Sequence, residues 1–417
     1  FSNLDPDFPP VPASSVEQTP SGQVLTVTVP ERTQSGPVTV IVDGKESNPV
    51  PFVLLIEVGY TPIELLFLPA SEPGHLRALS LNWGDLRNDR DNSSLSIIDV
   101  DVSSRALGRE VAEVRNVGLE RDKRAKAKEV RPKALVASPD GSRAYIAGVS
   151  SNTLYVIDPR PRNCAPGENP RDCYVLETVT GEEGLPPSPE KLAISPDGKT
   201  LLASHYKENR VSVLSTERME PGNNTAEGPI LREFACMARP VDVAFEPNGK
   251  RGLVGRRALI NWPFGCDGRD LSDPDVRLSI IVDALVVLTL DGTQAPSVVI
   301  VIPLFTAHPP PFFFFDPEKI VFTPDGNRAY VTLQDSFSNA VGVISLPQGA
   351  SAAAPSLLAV IPVGRRPTDL VIRPQGDYAF VSHYGNVPGD EFGTDSISVI
   401  HIGGERDHES RFLQDVG

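Results

Sequence analysis

Residues 191–214, KLAISPDGKTLLASHYKENRVSVL, contain the pattern from which the fold is predicted. Hydrophobic residues alternate along KLAI before the sequence SPDG at 195–198 interrupts the run. An Asp-Gly pair supplies the positive backbone φ angles that a tight hairpin needs. Two further runs of hydrophobic residues follow, separated by a polar loop. The segment therefore predicts a meander of three short strands.

The same pattern recurs along the chain. The copies cover residues 133–157, 191–214, 241–254, 319–344 and 369–400, and a weaker copy covers 63–98. A proline stands just ahead of each copy: Pro62, Pro132, Pro189, Pro240, Pro317 and Pro367. These prolines recur every 50 to 77 residues. Repeats of this length, with about four strands each, are typical of an all-β protein of the β-propeller class.

The repeats also resemble those of the YVTN-type β-propeller family of secreted and surface-layer proteins. The resemblance is carried by SPDGSRAYIAG…NTLYVID, SPDGKTLLASHYKENRVSVL, TPDGNRAYVTL…NAVGVISL and the linker PVGRRPTDLVIRP. It covers residues 57–417. It implies a propeller of the surface-layer or lactonase-like kind, but it does not imply one activity, because propellers host many functions.

The sequence allows two different numbers of blades. Six repeats predict six four-stranded blades, whereas the resembled family usually closes its ring with seven. Residues 52–59 and 412–417 both look like an outermost fourth strand, which is one strand more than the six repeats require. We therefore expect a six- or seven-bladed ring and prefer six.

Residues 1–56 are predicted to form a separate domain. Residues 23–29 and 36–42 alternate as strands, Asp43-Gly44 predicts a hairpin turn, and residues 47–55 return. The runs TVTVPERTQSGPVTVIVDG and SNPVPFVL resemble the second half of an IPT/TIG immunoglobulin-like domain. Half a β-sandwich cannot bury its inner face. We therefore expect a partial Ig-like domain whose missing strands lie upstream of Phe1 or come from another chain.

Charge and hydrophobicity argue against two kinds of partner. The chain carries 39 Lys and Arg against 54 Asp and Glu, for a formal net charge of −15. A nucleic-acid surface would need a basic footprint instead. No hydrophobic run reaches the roughly 20 residues of a membrane span. We expect neither nucleic-acid binding nor a membrane span in this chain.

The four cysteines favour disulfide bonds. Cys164 and Cys173 flank a loop rich in Pro, Gly and Asn, while Cys236 and Cys266 lie in loops that a propeller blade places on one face. Zinc is the competing interpretation, but no pair has the CxxC spacing. We predict disulfides Cys164–Cys173 and Cys236–Cys266. They indicate an extracellular, cell-surface or periplasmic location.

Candidate ligand- and partner-binding residues lie where strands lead into the loops of one face. They are Trp83, Asp85, His205, Tyr206, Asp335, His383 and Tyr384. The pairs His205-Tyr206 and His383-Tyr384 occupy the same position of their repeats, as Asn82-Trp83 does in the first copy. A ring of such residues around a central funnel could bind a ligand or a metal. The alternative is that repeat homology alone places the same polar and aromatic pair at the end of the same strand.

Acidic loops are candidate calcium sites. The candidate ligands are Asp85, Asp89 and Asp91 in one loop, or Asp390, Glu391 and Asp395 in another. Oxygen-rich loops can bind calcium, but neither loop has the EF-hand spacing, and solvated acidic loops are the alternative. The sequence implies no other cofactor.

No catalytic residue is assigned, because the chain has no GxSxG, HExxH, Walker or GxGxxG motif. The leading hypothesis is a non-enzymatic extracellular or cell-surface protein. Its propeller would bind other surface proteins or glycans, and its Ig-like module would act as a spacer in a longer polypeptide. The alternative is a lactonase-like propeller enzyme, or a redox protein that holds a metal or cofactor in the funnel of this face.

Overall fold

A computed structural model gives the three-dimensional structure of the chain, which is almost entirely β. The structure describes residues 15–19, 22–26, 36–38, 41–42, 45–46, 50–52, 58, 61–68, 76–83, 93–101, 109–115, 132–149, 152–160, 170–180, 185–223, 228–234, 237, 239–256, 284–290, 297–303, 305–306, 313–314, 316–334, 339–348, 354–383, 397–402 and 411–416. The chain divides into two compact units, Phe1–Asn116 and Val117–Gly417.

The first unit begins with six short strands in three antiparallel pairs. They are β1 (Ser15–Thr19), β2 (Gly22–Thr26), β3 (Gly36–Val38), β4 (Ile41–Val42), β5 (Lys45–Glu46) and β6 (Val50–Phe52). β1 pairs with β2, β3 with β6, and β4 with β5. β4 and β5 pair on either side of Asp43-Gly44, and the turn predicted at these two residues lies outside the described part of the chain. The assignment of this region to an Ig-like domain stays a prediction.

The first unit also contains a four-stranded antiparallel sheet, blade 1. Its strands are β7 (Pro62–Phe67), β8 (Arg77–Asn82), β9 (Ser94–Asp99) and β10 (Glu110–Arg115), and they pair in chain order. Every residue of β8 and β9 is buried. Arg77 and Asp99 form a buried ion pair at 2.7 Å between these two strands.

The second unit contains five more four-stranded sheets of the same topology. Blade 2 is β11 (Pro132–Ala137), β12 (Ala144–Gly148), β13 (Thr153–Ile157) and β14 (Val175–Val179), with a short helix α1 (Pro170–Tyr174) before β14. Blade 3 is β15 (Pro189–Ile194), β16 (Thr200–His205), β17 (Arg210–Ser215) and β18 (Ile230–Phe234), with a 3-10 helix over Glu217–Met219. Blade 4 is β19 (Pro240–Phe245), β20 (Arg251–Arg256), β21 (Ala284–Thr289) and β22 (Ser297–Pro303). The hairpin of β23 (Phe305–Thr306) and β24 (Phe313–Phe314) follows. Blade 5 is β25 (Asp316–Phe322), β26 (Arg328–Gln334), β27 (Asn339–Ser345) and β28 (Ser356–Pro362). Blade 6 is β29 (Pro367–Ile372), β30 (Tyr378–His383), β31 (Ile397–His401) and β32 (Arg411–Val416).

The described residues thus form six four-stranded blades, as the six repeats predict. The fourth strand expected near residues 412–417 is β32, which completes blade 6. In the second unit the first strands of successive blades contact each other, from β11 through β15, β19 and β25 to β29. This arrangement is that of a β-propeller.

Hydrophobic side chains from both faces of the blades fill the spaces between neighbours. One buried cluster joins blades 2 and 3, for example Tyr145 and Leu154 with Leu201 and Met219. Further clusters join blades 3 and 4, blades 4 and 5, and blades 5 and 6. Because both faces are covered, the second and third strands of blades 2, 3 and 5 are buried along almost their whole length.

Each first strand begins with the proline that marks its repeat, or one residue before it. In every blade the pairing of the first with the second strand shifts just after this proline, which is a β-bulge. Proline cannot donate a hydrogen bond to the ladder, so a strand end next to a bulge is a position that tolerates it. The repeated proline therefore fixes where each blade starts.

The turns between first and second strands are nearly identical in blades 2, 3 and 5. In blade 3 the Ser195 hydroxyl donates to Asp197 at 2.6 Å and accepts from the Thr200 N–H at 2.9 Å. Gly198 has a φ of +72°, and its Cα faces Pro139 of the preceding turn, where a Cβ would lie 3.3 Å from the proline ring. The Asp-Gly turns therefore pack on one another from blade to blade.

Candidate ligand-binding face

We call the top face the end of the blades that carries the connections between second and third strands and the linkers into each first strand. The last residue of the second strand, or in blade 5 the one before it, lies at this face. The leading proline pairs with Asn82, Gly148, His205, Arg256, Leu333 or His383 in blades 1 to 6, respectively. This position includes the two histidines that the sequence analysis singled out.

His205 is completely buried beneath the linker that enters its own blade. Its Nδ1 lies 3.0 Å from the Pro187 carbonyl oxygen, and its Nε2 lies 3.0 Å from the Ser212 hydroxyl. A carbonyl only accepts, so Nδ1 carries the proton and Nε2 accepts from Ser212. Burial lowers the pKa of His205 to about 4, although the backbone carbonyls of Pro187 and Pro186 favour the protonated form. His205 is therefore neutral and held inside the blade.

His383 occupies the same place in blade 6. Its Nε2 lies 2.6 Å from the Ser398 hydroxyl, and its ring is buried under Gly364 of the linker. A Cβ at Gly364 would lie 3.0 Å from the imidazole, so a larger residue in the linker would press against the His383 ring. Blade 1 has Asn82 at this position, and the Asn82 amide donates to Ser94 at 3.1 Å and Ser96 at 3.0 Å.

The residue that lies diagonally across from this position, two residues beyond its partner on the third strand, changes with it. Leu333 of blade 5 pairs with Ala340, and a Cβ at Gly342, two residues further on, would lie 3.1 Å from the leucine side chain. Blade 2 has the reverse combination, Gly148 with the buried Tyr155 two positions beyond its partner. In blades 1, 2, 3, 5 and 6 a large residue in one strand is thus matched by a small one in the next, or a polar residue by a serine, whereas Arg256 of blade 4 has Val286 at the diagonal position. This is the behaviour of a packing pair.

The structure places both predicted histidines inside their blades. Both end a second strand, as the repeat register predicts, but neither is presented to solvent. Each is covered by a linker and bonded to a serine because the six repeats use this position to fill the blade. Trp83 and Tyr206, which follow the position directly, keep part of their side chains exposed.

The linkers are held by asparagines of the top face. The Asn152, Asn209 and Asn339 side-chain oxygens each accept from the N–H of the residue before the next leading proline: Ser188 at 2.9 Å, Arg239 at 2.8 Å and Arg366 at 2.7 Å. These acceptor residues and their contacts recur in three different blades. Each linker is thereby fixed to the preceding blade.

The residues before the leading prolines adopt an uncommon backbone conformation. Thr61, Ser188, Arg239 and Arg366 have φ between 46° and 55°, in the left-handed region that non-glycine residues seldom occupy. Arg239 and Arg366 are exposed, and we call these two residues the rim arginines. The Arg239 guanidinium carbon lies 6.0 Å from the centre of the Tyr206 ring. Among the described residues, neither rim arginine forms an ion pair.

One first strand of the second unit carries a buried carboxyl. Asp242 of β19 is buried, and it accepts a hydrogen bond at 2.8 Å from the Ile320 N–H of β25 in the next blade. Burial raises the pKa of Asp242, while the charges of Lys319 and Lys191 oppose this change. Lys191, Asp242 and Lys319 each lie two residues beyond the leading proline of their blade. The three blades, 3, 4 and 5, are adjacent. Opposite charges therefore alternate along these three first strands.

The other predicted site residues lie outside the described part of the chain. They are Asp85, Asp335, Tyr384, Asp89, Asp91, Asp390, Glu391 and Asp395. Within the described ranges, no group of three or more His, Cys, Asp or Glu side chains is placed to hold a metal ion. The calcium sites stay predictions.

Cys173 is the one cysteine in the described ranges, and it is disulfide-bonded. Cys164, Cys236 and Cys266 lie outside those ranges, so the predicted pairings stay predictions. None of the helices in the described segments has the length and apolar character needed to cross a membrane.

The fold is shared with solved structures of low sequence identity. A protein from Lactobacillus plantarum superposes with a TM-score of 0.56 at 13% identity, over 88% of each chain. A candidate 6-phosphogluconolactonase from Bacteroides uniformis gives 0.55 at 16% identity, also over 88% of each chain. A periplasmic gluconolactonase from Pseudomonas aeruginosa gives 0.51 at 14% identity, over 82% of each chain. No protein-family model and no curated protein matches the chain. These similarities establish a β-propeller fold.

Sequence reasoning did not find the rim arginines or Asp242. A signal for the former exists, because Arg-Pro occurs at the start of three repeats: Arg131-Pro132, Arg239-Pro240 and Arg366-Pro367. Arg131 lies outside the described residues. For Asp242 the signal was weaker, since its contact with Ile320 joins residues that are 78 positions apart.

Proposed function

We propose that this chain is a non-enzymatic recognition protein whose propeller binds partners through the top face. The observation that carries the proposal is the pair of rim arginines, whose backbones are fixed by asparagines while their guanidinium groups remain exposed. Binding costs less when the contacting groups are already ordered in the free protein. Donors held on rigid linkers are suited to recognition for this reason.

The partners we propose are surface proteins or glycans outside the cytoplasm. The disulfide at Cys173 supports an oxidising location, either extracellular, at the cell surface or periplasmic. In this proposal, residues 1–56 are a partial Ig-like spacer and residues 57–417 are a YVTN-type propeller.

Hydrogen exchange of the full chain tests which face binds. A panel of surface glycans and proteins is added, and amide exchange is followed with and without each ligand. We expect a bound ligand to slow exchange in the linkers before Pro189, Pro240 and Pro367. The turns at Gly198 and Gly326, at the opposite end of the blades, should not change. Protection confined to those turns would refute top-face recognition.

A matched pair of charge changes adds an independent readout. Lys207 and Lys199 are both exposed and flank the two ends of β16. We expect Lys207→Glu, at the top face, to change the affinity for a charged ligand. Lys199→Glu, at the opposite end, should leave that affinity unchanged.

A second candidate is a lactonase-like enzyme, and Asp242 favours it. A buried carboxyl whose pKa is raised, with lysines on the neighbouring strands, is a candidate general acid. The test is hydrolysis of gluconolactones by the purified chain and by Asp242→Asn. Hydrolysis that is abolished in Asp242→Asn would favour the enzyme over recognition.

A further inference from the structure

We propose that the rim arginines bind an acidic polysaccharide, one whose sugar units carry carboxylates, across the top face. The inference rests on the proposed function above and adds the chemical class of the ligand to it.

The rim arginines are unusual because their backbones are fixed while their side chains are exposed. Their N–H groups are held by Asn209 and Asn339, and their left-handed backbone is maintained at some cost in energy. In the described part of the chain, their guanidinium groups have no carboxylate partner. A guanidinium presents a planar fork of donors that matches a carboxylate in a bidentate manner. The chemistry offered at this rim is therefore recognition of carboxylates.

Tyr206 points to a sugar as the carrier of the carboxylate. Its ring is partly exposed beside Arg239, at 6.0 Å from the guanidinium carbon to the ring centre. An aromatic ring gives a flat apolar surface with a polar end, against which the face of a pyranose can pack. Tyr206 and Arg239 together present such a surface and a carboxylate donor next to each other.

The positions of the two rim arginines favour a polymer over a small anion. Arg239 precedes β19 and Arg366 precedes β29, and the first strand of blade 5, β25, lies between them. Packed sheets are about 10 Å apart, so two blade steps separate the backbones of these residues by a distance on the order of 20 Å. A chain of uronate units can place one carboxylate at each rim arginine across such a distance.

The net charge of the protein favours carboxylated polysaccharides over nucleic acids as the polyanion. Nucleic acids are bound by extended basic grooves with several stacking platforms. The net charge of −15 opposes such a groove, and Glu208 lies exposed next to Lys207 in the same loop. A polyanion of lower charge density, with carboxylates spaced along sugar rings, is compatible with a few isolated arginines on an acidic protein.

The test measures binding of polygalacturonate and of neutral dextran to the full chain at low salt. We expect polygalacturonate to bind and dextran not to bind, and we expect added salt to weaken the interaction. Arg239→Gln and Arg366→Gln should each lower the affinity by about 10-fold, since a hydrogen bond to a charged group is of that strength. The double variant should lose about 100-fold, because the sites are far enough apart to act additively.

Three variants serve as controls for these losses. Arg239→Lys keeps the charge without the bidentate fork, and it should lose less affinity than Arg239→Gln. Tyr206→Leu should lower the affinity for polygalacturonate while Arg239 is intact. Arg232→Gln removes an exposed arginine from the outermost strand β18 of blade 3, and it should have no effect.

Two results would overturn the inference. One is polygalacturonate binding that is equally strong in the double variant and in the unmodified chain. The other is no polygalacturonate binding, with a protein or neutral glycan protecting the top-face linkers from exchange. In that case the ligand class is refuted and the proposed function stands. Protection confined to the opposite turns would refute both.

Discussion

The two ends of the blades follow different rules. At the turn end, Ser195-Pro196-Asp197-Gly198 and its equivalents repeat nearly the same residues with the same hydrogen bonds. At the top face, the corresponding position is a histidine, an asparagine, an arginine, a leucine or a glycine. The turn end is constrained because each turn packs on the preceding one and needs a positive φ. The top face is constrained only by the volume of a packing pair and by the linker bond, so its exposed residues are free to differ.

The turn between the first and second strands of blade 4 departs from the sequence of the other turns. It has Glu246 where blades 2 and 3 have serine, and Arg251 closes the turn with bonds of 3.0 and 2.6 Å to the two Glu246 carboxylate oxygens. Arg251 also donates to the Leu346 carbonyl oxygen at 2.9 Å, and Gln348 donates to Glu246. Glu246 is completely buried.

Arg251→Met should have the largest effect of the changes considered. It leaves the buried Glu246 carboxylate without its cation, and the free energy of unfolding should fall by about 3–5 kcal/mol. Denaturant unfolding of the full chain measures this. The double variant Glu246→Leu/Arg251→Met removes both charges and should be more stable than Arg251→Met alone. A loss below about 1 kcal/mol in Arg251→Met would contradict the role of the pair.

His205 allows the top face to be probed by pH. Burial lowers the pKa of His205 to about 4, so the unfolded chain, with an ordinary histidine pKa near 6.5, binds the proton first. Stability contributed by the neutral histidine is complete above about pH 6.5 and is lost as the pH falls toward 4. The contribution amounts to about 3 kcal/mol.

His205→Asn places the residue of blade 1 in blade 3 and removes the titrating group. We expect the unfolding free energy of the variant to fall less steeply between about pH 6.5 and pH 4 than that of the unmodified chain. Carboxylates contribute equally to both proteins, so the difference between the two curves isolates His205. Parallel curves would show that His205 is not buried in its neutral form.

The two ends also differ in how much the sequence could predict. The repeat strands, the leading prolines and the turn at Gly198 follow from local patterns of two to five residues, and the described residues contain these features in blades 1 to 6 or, for the turn, in blade 3. The burial of His205 could not be predicted from these patterns. It depends on the linker that covers the ring and on Ser212 across the sheet, and a histidine before a loop has the same local sequence whether it is covered or exposed. The bond between Asn209 and Arg239 joins positions 30 residues apart, so it also depends on the assembled blades.

Alanine substitutions at Gly198 and Gly222 distinguish the cost of backbone strain from the cost of a steric contact at the turn end. Both have positive φ, of +72° and +83°. A Cβ at Gly198 would lie 3.3 Å from Pro139, whereas nothing lies within 4 Å of a Cβ at Gly222. Gly222→Ala should cost about 1 kcal/mol for the left-handed conformation alone, and Gly198→Ala should cost about 2 kcal/mol. Thermal and denaturant unfolding compare the two, and equal losses would mean that the turns do not constrain one another.

The smallest effect is expected at the linker bond of the top face. Asn209→Gly tolerates the φ of 53° at this position and keeps the backbone contact with Met237, but it removes the side-chain acceptor for the Arg239 N–H. The free energy of unfolding should fall by about 1 kcal/mol, and the Arg239 amide should exchange faster. Asn209→Asp keeps an acceptor oxygen and should preserve the slow exchange. If the Arg239 amide exchanges as slowly in Asn209→Gly as in the unmodified chain, the Asn209 side chain does not hold the linker. The backbone of Arg239 is then fixed by Pro240 and the bulge of the first strand that it precedes.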